Sequence, residues 1–238
     1  MRVTVVLLVR HGLTALTGPV LAGWTPGVHL DERGRAQAAA LAERLRDLPL
    51  GAVVSSPLER CRETAQAILA TRNGTPSHVD ERFGEVHYGD WTGEKLETLA
   101  QDPLWRVVQA HPSAVRFPGA EGESLSAAQH RAVSAIRDWN ARVGDDAVYL
   151  VCTHGDIIKA IVADALGLHL DQFQRIQADP GSLSVVRYTG LRPFVVRLND
   201  RGGTIDGLLL PPPEPPADEK AEGKAAGGDS DAPVGGGA

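Results

Sequence analysis

The first apolar run of the chain, Val3 to Val9, is nearly unbroken and rich in β-branched residues, which predicts a strand buried on both faces. A loop rich in Gly, Pro and Thr follows from Gly12 to about His29. Asp31 then reads as the N-cap of a helix reaching about Asp47, with Ala38, Leu41, Leu45 and Leu48 forming one apolar stripe. Gly51 to Ser55 predicts a second strand. Pro57 is placed to open a second helix that buries Leu58, Cys61, Ala65 and Ile68. Periodicity weakens between residues 72 and 122, where only one helix, near Glu94 to Ala110, is suggested. It returns with Leu125, Ala128, Ala132, Ile136, Trp139 and Val143, a long amphipathic helix. A third strand (Ala147 to Cys152), a helix after Gly155 that buries Ile157, Ile158, Ile161 and Val162, and two last strands (Leu183 to Tyr188, Phe194 to Leu198) complete the pattern.

Strand followed by helix, three times over, predicts an α/β fold with a mostly parallel sheet and helices on both faces. The expected organisation is one domain over residues 1–205, then a tail, 206–238. From Pro211 onward that tail is Pro, Gly, Ala and acid with almost nothing to bury, so disorder is expected there. The formal net charge is −6. Six acids and two lysines from Pro211 onward carry −4 of it, leaving −2 on the body. A body so nearly neutral argues against a duplex nucleic-acid binder, which would need a basic face to displace counterions. No stretch approaches the length of a membrane span. Val3 to Val9 is too short for a signal core, and Cys61 and Cys152 suggest no disulfide framework. A soluble, cytoplasmic protein is expected, with monomer and homodimer both open.

In an open parallel sheet, ligands bind beyond the carboxyl ends of the strands. The first strand delivers Arg10-His11-Gly12 there. The second delivers Ser55-Ser56-Pro57, with Arg60 one turn into the next helix, and the third delivers Thr153-His154-Gly155. Taken singly, each has a plain structural reading: a histidine fixed after a strand, a solvated arginine, a turn glycine. Two arginines and two histidines on one rim point instead to a small oxyanion, with the reaction left open. Cysteine-phosphatase chemistry needs an arginine six positions after the cysteine, and those positions hold Ala67 and Ile158. His154-Gly155-Asp156 and His29-Leu30-Asp31 could be metal-ligand pairs, but Asp156 opens a helix, where the dipole favours an acid anyway.

Four blocks carry a resemblance: Leu8-Val9-Arg10-His11-Gly12-Leu13-Thr14, Ser56-Pro57-Leu58-Glu59-Arg60, Glu85 to Gly93, and Val151-Cys152-Thr153-His154-Gly155. In this order they resemble the histidine phosphatase superfamily, its phosphoglycerate mutase-like branch. The resemblance implies a three-layer α/β/α sandwich that needs no metal, and no other cofactor is called for. It implies His11 as nucleophile, with Arg10, Arg60 and His154 holding the phosphoryl oxygens and Glu85 as general acid and base. Thr17 stands where the family often has Asn, which implies a weakened phosphate contact. Gly23 and Gly155 complete the substrate-binding set.

Mutase members carry a longer insertion with adjacent arginines. Here residues 94–123 are few, and Arg106 and Arg116 stand apart. The expected activity is therefore a phosphatase acting on a small phosphorylated metabolite, with a phosphomutase or a non-catalytic phospholigand-binding module as alternatives. His87, Tyr88 and Trp91 are open between packing and substrate contact. His111, His130 and His169 read as surface or structural residues, and the loop from Ala22 to His29 is expected to cover the pocket.

Overall fold

The computed structural model describes residues 3–202 of the 238-residue chain. The expectation for the 206–238 tail lies outside these residues. The elements are β1 (Val3–Arg10), α1 (Glu32–Leu45), β2 (Ala52–Ser55), α2 (Glu59–Leu69), β3 (Ser77–Val79), α3 (Leu96–Leu99), α4 (Pro103–Ala110), α5 (Leu125–Val143), β4 (Ala147–Thr153), α6 (Gly155–Leu166), β5 (Leu183–Thr189) and β6 (Pro193–Asp200). Short 3-10 turns lie between them, among them Glu81–Phe83 and Gly89–Trp91.

The strands form one mixed sheet in the order β3-β2-β4-β1-β5-β6. β1, β2, β3 and β4 run parallel, while β5 pairs antiparallel with both β1 and β6. Alternation along the strands splits the core into two layers, because successive side chains point to opposite faces. Val6, Leu8, Val54 and Val151 belong to the layer that includes Leu125, Ile136, Ile158 and Ile161 of α5 and α6. Leu7, Val9, Val53 and Cys152 belong to the layer that includes Leu41, Leu45, Cys61 and Ile68 of α1 and α2. β1 therefore reads as continuously apolar because it is covered twice. The three-layer sandwich is the expected fold class. Among the described residues no helix is long and apolar enough to cross a membrane.

Three elements depart from the sequence expectation. α2 begins at Glu59, not at Pro57: Leu58 is extended (φ −73°, ψ 140°), and its N–H donates to the Ser56 hydroxyl at 3.3 Å. The single helix expected near Glu94 to Ala110 is two, α3 and α4. Asp102 is extended (φ −74°, ψ 133°), takes the Leu104 N–H at 2.8 Å and precedes Pro103, whose ring disfavours helical backbone in the residue before it. β3 was not anticipated, since Ser77, His78 and Val79 lie exposed on a sheet edge and carry no apolar period.

The parallel strands deliver their carboxyl ends to one edge, and hydrogen bonds continue past them. His11 N–H donates to Thr153 O (3.1 Å), Ser56 N–H to Cys152 O (2.9 Å) and Asp80 N–H to Ser55 O (3.0 Å). The residues just beyond β1, β2, β3 and β4 are thus fixed relative to one another before any side chain is considered. Glycine at 12 allows α1 to approach: a Cβ there would lie 2.5 Å from Gly34 O.

Candidate active site

Arg10, His11, Arg60, His154 and Glu85 converge at this edge, and each is at most 6% exposed. His11 follows β1 directly. Its Nδ1 lies 2.8 Å from Gly12 O, a carbonyl that can only accept, so Nδ1 carries the hydrogen. Nε2 is left with its lone pair and receives the Arg60 Nε–H at 3.2 Å. Burial, then Arg60, then Arg10 hold the His11 pKa well below the usual histidine range, so the ring is neutral at pH 7. The arrangement is a nucleophilic nitrogen with its tautomer fixed from behind.

Arg60 lies in the first turn of α2. Its Nη2 donates to Gly23 O (2.8 Å) and His154 Nδ1 (3.3 Å), while Nη1 is buried with no hydrogen-bond partner. Such a donor is costly unless a ligand supplies the acceptor. Arg10 donates from Nη1 to Ala178 O at 2.7 Å.

His154 caps β4 and is 0% exposed. With Nδ1 accepting from Arg60, its Nε2–H donates to the Ser56 hydroxyl at 2.7 Å, and Cys61 Sγ lies 3.4 Å from the same nitrogen. Burial and the neighbouring arginines hold its pKa well below the usual value too. The expected nest of four basic groups is therefore, in the free site, two arginine cations and two neutral imidazoles. Sequence counts basic residue types and does not register the desolvation that discharges them.

Glu85 follows the Glu81–Phe83 turn. Its Oε1 accepts the Val86 N–H at 2.9 Å, and Oε2 lies 3.8 Å from His154 Nδ1. Burial, then the negative charge of Asp156, raise its pKa to about 7, outweighing the two arginines, which lower it. Asp156 was read from sequence as a helix-opening acid. It does open α6, but it is buried, accepts the Tyr88 hydroxyl at 2.8 Å and pairs with buried Lys159 at 3.4 Å.

A narrow cavity opens over these groups, lined among others by Arg10, His11, Arg60, Glu85 and Tyr88. Thr17 and Gly23 line it as well. Thr17 Oγ1 takes the Thr14 N–H (3.0 Å) and lies 3.0 Å from Thr14 Oγ1, so two hydroxyls share one hydrogen and leave the other free to donate. His154 and Gly155 stand one layer back, outside the lining. A Cβ at Gly155 would lie 3.4 Å from Arg10 Cζ, so the glycine lets the guanidinium pack against the start of α6.

Of the loop expected to cover the pocket, Ala22 and Gly23 line it. Trp24 donates from Nε1 to Glu85 O (2.7 Å) and stacks on His87, their ring centres 4.4 Å apart. Trp91 is core, and His111, His130 and His169 are exposed, as expected. Arg131, which nothing in the sequence singled out, donates to the carbonyls of Arg82 (2.7 Å), Gly84 (2.8 Å) and Glu85 (2.8 Å).

The chain is 32% identical over 211 residues to the glucosyl-3-phosphoglycerate phosphatase of Mycolicibacterium vanbaalenii, covering 79% of this chain and 93% of that one. It is 30% identical over 226 residues to 2,3-bisphosphoglycerate-dependent phosphoglycerate mutase 2 of Gloeobacter violaceus, covering 89% and 95%. Among solved structures, Bacillus stearothermophilus YhfR superposes with a TM-score of 0.75 at 29% identity, covering 83% of this chain and 97% of that one. Residues 6–201, which include every side chain of the site described above, match the model of the histidine phosphatase superfamily (branch 1), and to that superfamily the chain belongs.

Proposed function

We propose that the protein is a phosphatase that hydrolyses a small phosphomonoester through a phosphohistidine on His11. One observation carries this reading: a neutral imidazole whose Nδ1–H is held by Gly12 O lies beside two buried guanidiniums, one with an unpartnered donor. His11 Nε2 attacks phosphorus and the ester P–O bond breaks. Glu85 gives its proton to the departing alkoxide, and a P–N bond has formed. A water molecule then attacks phosphorus and gives its proton to Glu85. The P–N electron pair returns to Nε2, and inorganic phosphate leaves with Glu85 reprotonated. The transferring group spreads negative charge over its equatorial oxygens. Arg10, Arg60 and the free threonine hydroxyl supply donors that need no reorganisation.

The Gloeobacter relative's name brings a mutase reading, in which a second hydroxyl replaces water. Arg106 and Arg116 are exposed and lie outside the cavity lining, so neither is placed to hold a second charged group of a substrate; this favours water as acceptor. Buried, free thiols at Cys61 and Cys152 suit a reducing compartment, in keeping with a cytoplasmic protein.

Incubation with a labelled phosphodonor should place acid-labile, base-stable phosphate on the protein. His11→Ala should take up none and should lose phosphate release by at least about 10³-fold. Equal labelling of His11→Ala would remove the assignment of the nucleophile. Phosphate release measured beside phosphoglycerate isomerisation separates hydrolysis from mutase action.

A further inference from the structure

We propose that Trp24 is a positioning residue for proton transfer: its indole fixes the peptide plane between Glu85 and Val86, and that plane holds the Glu85 carboxyl in place. This rests on the phosphatase reading and assigns the means by which its acid is aimed. Trp24 lies in a turn of residues 22–25, closed by Thr25 N–H donating to Ala22 O at 3.0 Å. The turn is anchored to a second segment, since Leu21 N–H donates to Glu94 O (2.9 Å) and Gly93 N–H to Leu21 O (2.8 Å). Two adjacent residues of the turn then grip two different parts of the site. Gly23 O accepts from Arg60 Nη2 at 2.8 Å, and Trp24 Nε1–H donates to Glu85 O at 2.7 Å. The acid and the arginine beside His11 are thereby held from one short stretch of chain.

Arg131 Nη2 donates to the same Glu85 oxygen at 2.8 Å, so both lone pairs of that carbonyl are taken. The carbonyl of Glu85 and the N–H of Val86 belong to one planar peptide group, and a carbonyl that cannot turn fixes the direction of the N–H. Val86 N–H donates to Glu85 Oε1 at 2.9 Å. The indole thus reaches the carboxyl through one rigid unit. Contacts on either side of Glu85 keep the ring itself from swinging about its hydrogen bond. A Cβ at residue 84 would lie 2.3 Å from Trp24 Cζ2, whereas its nearest contact outside that ring, Glu81 O, is at 3.0 Å. Gly84 has backbone angles that any residue adopts (φ −63°, ψ 157°), so glycine there serves the close approach of the ring. The indole also stacks on His87, with ring centres 4.4 Å apart and planes at 12°.

Trp24→Phe keeps an aromatic ring beside Gly84 and His87 while removing the N–H. Its kcat/KM for propyl phosphate, whose alkoxide must be protonated as it leaves, should fall by about tenfold. For 4-nitrophenyl phosphate, whose phenolate leaves without a proton, kcat/KM should stay within about twofold of wild type. Gly84→Ala displaces the indole from the opposite partner and should reproduce this split. Independently of turnover, the Val86 amide should exchange with solvent at least about fivefold faster in both variants, with the amides of β1 unchanged. No split between the two esters overturns the proposal, as does Val86 exchange at the wild-type rate. If the wild-type protein releases phosphate from neither ester, the phosphatase reading falls, and the Val86 exchange alone decides whether Trp24 holds the Glu85 carboxyl.

Discussion

Burial acts on His11 and Glu85 in opposite electrical directions and favours the uncharged form of each, which is the state each proposed role requires. His11 is held well below the usual histidine range, so its protonation sets no limit on activity near neutrality. Glu85, with a pKa of about 7, begins to lose its proton there. The rate of phosphohistidine formation should accordingly fall as pH rises through about 7. Glu85→Gln should lower it by about 10²–10⁴-fold and abolish that descending limb. Stability follows the same carboxyl. Its folded pKa is raised from 4.5 to about 7, so the stability tied to the protonated form is complete below about pH 4.5 and lost as pH rises through about 7. Thermal midpoints of Glu85→Gln and wild type should therefore lie close at pH 4.5 and diverge in favour of the variant by pH 8; a gap that stays constant with pH would contradict this. Sequence identified these positions because four short blocks keep their order. It could not supply their charge states, since those depend on what surrounds each ring and carboxyl in space. Tyr88 and Asp156 illustrate the limit: 68 positions separate the partners of a 2.8 Å hydrogen bond.

Glu85, the proposed general acid, sits on neither a helix nor a strand, so other elements must fix it. Arg131 of α5 does so with three hydrogen bonds to the carbonyls of residues 82, 84 and 85. It is itself oriented by Glu123, which accepts from its Nη2 at 2.6 Å and from its Nε at 3.1 Å. Glu123 also takes the His87 N–H at 2.9 Å, and Trp24 holds Glu85 O from the other side. On the proposed mechanism Arg131 is a positioning residue, because a shift of about 1 Å in a catalytic group can cost on the order of 10²-fold. Arg131→Ala should lower kcat by roughly tenfold to a hundredfold with KM little changed, and should blur the descending pH limb that Glu85 produces. Arg131→Lys should recover only part, because an ammonium cannot reproduce the planar fork. A variant with raised KM and normal kcat would mean that Arg131 serves substrate binding instead. The apolar stripe of α5 was legible, but an arginine on its other side is indistinguishable in sequence from a solvated one. The stretch from 72 to 122 was illegible for a related reason. Its backbone groups are satisfied by short turn bonds, such as Trp91 N–H to Tyr88 O and Thr98 N–H to Lys95 O, and by single side chains such as Arg131, Glu123 and Asp102, none of which leaves a sustained period of 2 or 3.6 to read.

Across the whole molecule, the sheet order brings together what the sequence spreads out. β4 lies between β1 and β2 although it follows β2 by nearly a hundred residues, so His154 reaches the back of a site begun by Arg10 and His11. Repeated strand–helix units announced the parallel part of the sheet, but the insertion of β4 and the antiparallel β5 and β6 depend on long-range pairing that no local pattern encodes. This gathering leaves two buried guanidiniums lining one cavity and an Arg60 Nη1 donor without an acceptor, so the free protein is stable despite the site. An oxyanion that fills the nest should correct this. Inorganic phosphate or vanadate at one hundred times its Kd should stabilise the fold by about 2.7 kcal/mol, which for a chain of this size is roughly 5–10 °C in thermal midpoint. Arg60→Met keeps much of the side-chain volume while removing the charge and the donors. Its midpoint should respond far less to either ion, whereas Arg106→Ala, exposed and outside the cavity, should respond as wild type does. An undiminished shift in Arg60→Met would place the anion elsewhere on the surface and separate the nest from the chemistry assigned to it.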